Sequence, residues 1–162
     1  SLEVKPEDID HIFITHLHGD HIGGLTAEDK AVFLNAQLHI NTDELDAWMA
    51  MPAEQTTRLK KIIELYKDRL HAFTIEDTLP CGIKAIEAYG HTPGHTVYQV
   101  GNNIIAGDIM HGTALQVDYP QYSARFDMDK EKAVKTRKAI MKTAEDQGLK
   151  VYGMHFPEPY RL

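Results

Sequence analysis

Thr15-His16-Leu17-His18-Gly19-Asp20-His21 sets three histidines and an aspartate within six residues, directly after Ile12-Phe13-Ile14 and directly before Ile22-Gly23-Gly24-Leu25. Packing alone does not require an apolar strand to empty into a turn so dense in metal-ligating side chains. Alternate residues of an extended segment share a face, so His16 and His18 can converge on one ion. Asp20 and His21 are neighbours in a turn and diverge, which suits a second ion beside the first.

Three further stretches supply matching donors. In His91-Thr92-Pro93-Gly94-His95-Thr96 the Pro-Gly pair makes a tight turn, and His95 is the expected third ligand of the first ion. His91 is expected either to hold a ligand in place by a hydrogen bond or to be structural. Ala106-Gly107-Asp108 ends an apolar strand with a carboxylate able to bridge two cations, and His111 follows as a supporting or substrate-facing residue. Gly153-Met154-His155-Phe156-Pro157 offers a last imidazole for the second ion. These nitrogen and oxygen donors, with no thiolate, suit zinc first and iron, manganese or cobalt as alternatives. A closed structural site needs only four ligands, whereas two ions sharing a carboxylate leave the open positions of a catalytic centre.

The pattern around these stretches is that of an α/β (α+β) chain. Residues 10–15 and 37–40 read as strands, 20–25 as a brief helical turn, and 42–51 as a helix with Asp43 and Glu44 in its first turn, where the dipole favours acids. A second helix is expected over 54–70, where Leu59, Ile62, Ile63, Tyr66 and Leu70 repeat at helical spacing. The period then shortens. Strands are expected over 72–75, 83–88, 96–100 and 104–106, with a hairpin turn at Gly101-Asn102-Asn103. Residues 113–119 read as a strand or a loop. A last helix over 130–147, capped by Asp127 or Asp129 and stopped by Gly148, carries Ala133, Val134, Ile140, Met141 and Ala144 on its apolar side. A strand at 151–154 runs into His155.

The bulk composition narrows the classes. The 162 residues suit one domain, 1–162, with 43% hydrophobic and 25% charged residues. A net charge of -7 argues against nucleic acid as a partner. No apolar run approaches the ~20 residues of a membrane span. Residues 1–8 are polar and give no leader, which points to a cytoplasmic protein acting on a small molecule. Cys81 is the single cysteine, so no intrachain disulfide can form.

His16-x-His18-x-Asp20-His21, followed by Gly94-His95-Thr96, Gly107-Asp108 and a late His155, resembles the metallo-β-lactamase-fold hydrolases in order and spacing. His91-Thr92-Pro93-Gly94-His95-Thr96-Val97-Tyr98, Gly107-Asp108-Ile109-Met110-His111, Phe126-Asp127-Met128-Asp129 with Arg137, and His155-Phe156-Pro157 are similar to the methyl parathion hydrolase-like branch. The resemblance implies an αβ/βα sandwich. It implies one ion on His16, His18 and His95, another on Asp20, His21 and His155, and Asp108 bridging. It further implies a metal-dependent hydrolase in which a hydroxide shared by two divalent ions attacks a carboxylic ester, lactone or phosphotriester, with Asp20 and Asp108 as its catalytic carboxylates. In that family, strands of the first sheet normally precede the histidine motif, which here begins at residue 16. The expectation is therefore a partial sandwich lacking N-terminal strands of the first sheet. The competing expectation is a non-catalytic metal-binding remnant that forms a homodimer over the incomplete sheet or needs its missing part.

Overall fold

The computed structural model describes residues 3–156 and 160–161. The chain divides into two compact units, Ser1–Thr74 and Ile75–Leu162. No helix among the described residues is long and apolar enough to cross a membrane.

Among the described residues, the first unit holds a three-stranded parallel sheet in the order β1-β4-β5, formed by β1 (His11–Phe13), β4 (Gln37–Asn41) and β5 (Leu70–Phe73). Parallel neighbours need long crossovers. The first carries α1 (Gly19–Ile22) and the small hairpin of β2 (Thr26–Ala27) and β3 (Lys30–Ala31). The second carries α2 (Thr42–Met49) and α3 (Ala53–Tyr66). Asn41 caps α2 by accepting the Asp43 N–H at 2.9 Å. The strand period of two then sorts β4. Leu38 and Ile40 join the core with Ile14, Leu17, Trp48, Leu59, Ile62 and Tyr66, while His39 pairs across the sheet with Phe13 and His71. The Tyr66 hydroxyl donates to the Leu25 carbonyl at 2.7 Å and accepts the Phe33 N–H at 3.2 Å, fastening the hairpin to the end of α3.

The second helix stops at Tyr66, earlier than its apolar spacing suggests, and a 3-10 turn, Lys67–Arg69, follows. Leu70 fits the helical spacing, yet it pairs with Leu38 and opens β5. Tertiary pairing here overrides local periodicity.

The second unit holds a five-stranded mixed sheet, counted among the described residues, in the order β10-β9-β8-β7-β6. Its strands are β6 (Lys84–Glu87), β7 (Thr96–Val100), β8 (Asn103–Ile105), β9 (Lys150–Tyr152) and β10 (Tyr160–Arg161). The expected hairpin at 101–103 joins β7 to β8, where Val100 pairs with Asn103. β8 and β9 run parallel, so the chain between them crosses over through α4 (Thr113–Gln116) and α5 (Lys130–Gln147). Residues 113–116 are helical, not strand or loop. The Gln116 carboxamide accepts the backbone N–H groups of His111 at 2.8 Å and Gly112 at 3.0 Å, which curls this segment into a turn of helix. Asp129 caps α5 by accepting the Lys132 N–H at 2.9 Å, and Gly148 ends it in the left-handed conformation at φ 61°. The buried face of α5 is Ala133, Arg137, Ile140 and Ala144, so a guanidinium occupies a place where the sequence suggests only apolar groups.

Candidate metal centre

In the first unit, β1 delivers the chain into the histidine turn. His16 is fully buried, and its ring lies 4.8 Å from that of His18 and 4.0 Å from that of His21, centroid to centroid. His18 sits at the N-terminus of α1, where its carbonyl accepts the N–H groups of His21 at 3.1 Å and Ile22 at 3.3 Å. The Asp20 carboxylate is exposed, 3.6 Å from His21 Nε2. Leu17, between the two histidines, is anchored in the core at 2% exposure. Its N–H donates to Glu44 Oε1 at 2.8 Å, and the same oxygen accepts Trp48 Nε1–H at 2.7 Å. Trp48 also meets the His18 ring edge-on at 5.5 Å. α2 thus clamps the backbone from which both imidazoles project. Glu44 is legible in the sequence only as a dipole-favoured acid; nothing in its spacing marks it as this clamp.

In the second unit, Asp108 is 2% exposed, and three imidazoles converge on one of its oxygens. Asp108 Oδ2 lies 3.1 Å from His111 Nε2, 3.2 Å from His155 Nε2 and 3.5 Å from His91 Nε2. His111 stacks on His155 at 4.9 Å, and His155 keeps a side-chain exposure of 34%, so the cluster has an open side. Pro157, read with His155 in the sequence, lies outside the described residues.

His91 and His95 stand differently toward Asp108. His95 is fully buried, and its Nε2 accepts the backbone N–H of Asp108 at 3.0 Å. That lone pair is used in shaping the turn that carries the carboxylate. His91 instead aims Nε2 at Asp108, and its Nδ1 lies 2.9 Å from Asp127 Oδ1. Both histidines belong to one tight turn of the same residue types, so spacing alone could not rank them. Gly90, just before His91, has φ +130°, and a Cβ there would sit 2.2 Å from the backbone nitrogen of Ala133. This close approach lets the backbone N–H groups of Met128 and Asp129 reach the carbonyls of His91 and Gly90 at 3.1 and 2.9 Å.

Asp127 and Arg137 were not read from the sequence as part of the site. Burial alone would raise the Asp127 pKa. Hydrogen bonds from His91 and the Ala124 N–H, and the Arg137 charge, outweigh it and hold the carboxyl below the usual range. His91, His111 and Asp127 present ligand atoms within 4.8 Å of one another. The donor chemistry of both units, imidazole nitrogens and carboxylate oxygens without sulfur, fits borderline divalent cations.

The chain belongs to the metallo-β-lactamase superfamily, whose family model matches residues 1–146. Among solved structures it is similar to the hydrolase AbOPH of the β-lactamase superfamily, with 32% identity and a TM-score of 0.84. It is also similar to AidC, a dizinc quorum-quenching lactonase crystallised with a product, N-hexanoyl-L-homoserine, with 27% identity and a TM-score of 0.88. Each match covers 96% of this chain and 60% of the other. A probable metal-dependent hydrolase from Staphylococcus aureus shares the fold at 24% identity and a TM-score of 0.79, over 93% of this chain and 56% of that one. No curated protein matches. The chain thus spans about three fifths of the length of these structures and forms part of the metallo-β-lactamase fold.

Proposed function

We infer that this chain carries the metal centre of a metal-dependent hydrolase acting on an ester-type bond: a carboxylic ester, lactone or phosphotriester. Support comes first from the convergence of three imidazole Nε2 atoms on one oxygen of the buried Asp108. A carboxylate so surrounded suits a bridging role between cations. The first unit offers His16, His18, Asp20 and His21 as metal donors. The second unit offers His91, His155 and Asp108, the carboxylate suited to sharing between ions. Two divalent ions, zinc foremost, would lower the pKa of a water toward about 7 and polarise the oxygen of the scissile group.

The chain's own groups do the rest. Asp20, the exposed carboxylate of the histidine turn, would orient the attacking water and take its proton. His111 lies against Asp108 within reach of a substrate entering from the side His155 leaves open. Phe126 is 53% exposed with its ring 5.9 Å from that of His111, and it offers apolar surface to the acyl or aryl part of an ester.

The test pairs metal analysis with turnover of an ester, lactone and phosphotriester panel by the full chain. Asp108→Ala is expected to lose bound metal and hydrolysis together. Turnover that survives complete metal removal would overturn the proposal. Zinc uptake with no turnover of any substrate would favour the non-catalytic metal-binding reading, and light scattering would then show whether that form is a dimer.

A further inference from the structure

Asp127 lies outside the proposed ligand set, yet the second unit devotes an unusual amount of buried polar structure to it. Its Oδ1 is 2.9 Å from His91 Nδ1. Its Oδ2 accepts the Ala124 N–H at 2.9 Å and faces an Arg137 Nη at 3.4 Å. Arg137 is fully buried and cannot swing away. Its guanidinium also donates to the carbonyls of Ile109 at 2.6 Å, Pro120 at 2.8 Å and Tyr122 at 2.9 Å. The two oxygens of Asp127 therefore have separate tasks, and the carboxylate plane is fixed. The backbone of the same segment is bonded to Gly90 and His91, so side chain and main chain are registered together.

We propose that Asp127 is a positioning residue for metal binding: it holds His91 as the Nδ1–H tautomer and thereby keeps the Nε2 lone pair directed at the metal site beside Asp108. The chemistry is that of a neutral imidazole, which carries one proton on one of two nitrogens. Carboxylate oxygens face both ring nitrogens, but the Asp127 oxygen lies at hydrogen-bond distance, 2.9 Å from Nδ1, while the Asp108 oxygen stands 3.5 Å from Nε2, so the proton is held on Nδ1. The remaining lone pair then lies on Nε2, 3.5 Å from Asp108 Oδ2. Carboxylates that orient a metal-binding histidine in this way raise metal affinity about 10- to 100-fold. Arg137 acts one step further back by fixing Asp127.

This inference rests on the reading of His91 as a ligand, and the test separates the two. The metal-free full chain is studied first, by long-range nitrogen-15 correlation spectra of its histidines at pH 8. The expected result is the Nδ1–H tautomer at His91; the Nε2–H tautomer overturns the proposal without recourse to any variant. Zinc affinity is then measured by competition with a chromophoric chelator for the natural chain, Asp127→Asn and His91→Ala. Asp127→Asn is expected to bind zinc about 10- to 100-fold more weakly and to populate the Nε2–H form. An affinity within about twofold of the natural chain, alongside a clear loss in His91→Ala, overturns the role of Asp127 and leaves His91 a ligand. Unchanged zinc binding in His91→Ala overturns the ligand reading and this inference with it.

Discussion

His39 lies buried at 1% exposure on the middle strand of the first sheet, with an imidazole on either side. Its Nε2 is 3.0 Å from His11 Nδ1 and its Nδ1 is 2.9 Å from His71 Nδ1. Burial first, then the nearby His71 and His11, push its pKa from 6.5 down to about 4. The folded chain therefore refuses a proton that the unfolded chain accepts. This contribution is fully present above about pH 6.5 and fades as the pH falls towards about 4. His39→Gln should flatten the loss of stability between pH 7 and pH 5 in urea titrations; an equally steep loss would remove His39 as its source. Glu44 works through hydrogen bonding instead. Glu44→Ala leaves the Leu17 N–H and Trp48 Nε1–H without their shared acceptor, at a cost of about 1–3 kcal/mol for each buried group. Denaturation should show a lower midpoint at unchanged slope, and a midpoint equal to the natural chain's would show that the clamp is not needed.

At the scale of elements, the tightest constraint is the contact between the loop at Gly90 and the first turn of α5. Gly90→Ala adds a methyl group where the Ala133 backbone already stands and forces a side chain into φ +130°. Either the helix start or the loop must move, so a loss of about 2 kcal/mol or more is expected, with weakened zinc binding because His91 is the next residue. Thermal unfolding and chelator competition measure both, and a fully stable, zinc-competent variant would contradict the close approach. The same contact explains what could be read from sequence. The histidine turn was legible because its donors are dense and local, and the hairpin at 101–103 because its turn residues are specific. Choosing between His91 and His95 was not possible from spacing. What distinguishes their surroundings is long-range: Gly90 meets a helix more than forty residues further on, and Asp127, whose position suggests only a cap, lies 2.9 Å from His91 Nδ1. Arg137 was hidden by the rule that buried helix faces are apolar, and residues 113–116 by side-chain hydrogen bonds that hydrophobic periodicity does not report.

For the whole molecule, any ion that binds the folded chain and not the unfolded one adds stability by mass action. At a free zinc concentration 100 times the dissociation constant the gain is about 2.7 kcal/mol. The midpoint of thermal unfolding should rise with added zinc and fall back on chelation, and Asp108→Ala should show little of either response. A midpoint indifferent to zinc in the natural chain would argue against a folded-state metal centre. The part of the fold legible at this scale was its family: the order of motifs identified a metallo-β-lactamase chain, and the family match over residues 1–146 agrees. Which strands pair was less legible, since Leu70 could serve a helix or a strand equally well until β4 claimed it.

The parallel pairing of β8 with β9 also sets an order of events. All of α4 and α5 lies between these strands along the chain, so closing them together costs loop entropy before any pairing rewards it. His155 travels just behind β9 and cannot reach Asp108 until that closure is made. The ring of imidazoles around Asp108 is thus complete only in a chain whose β8 and β9 have already met.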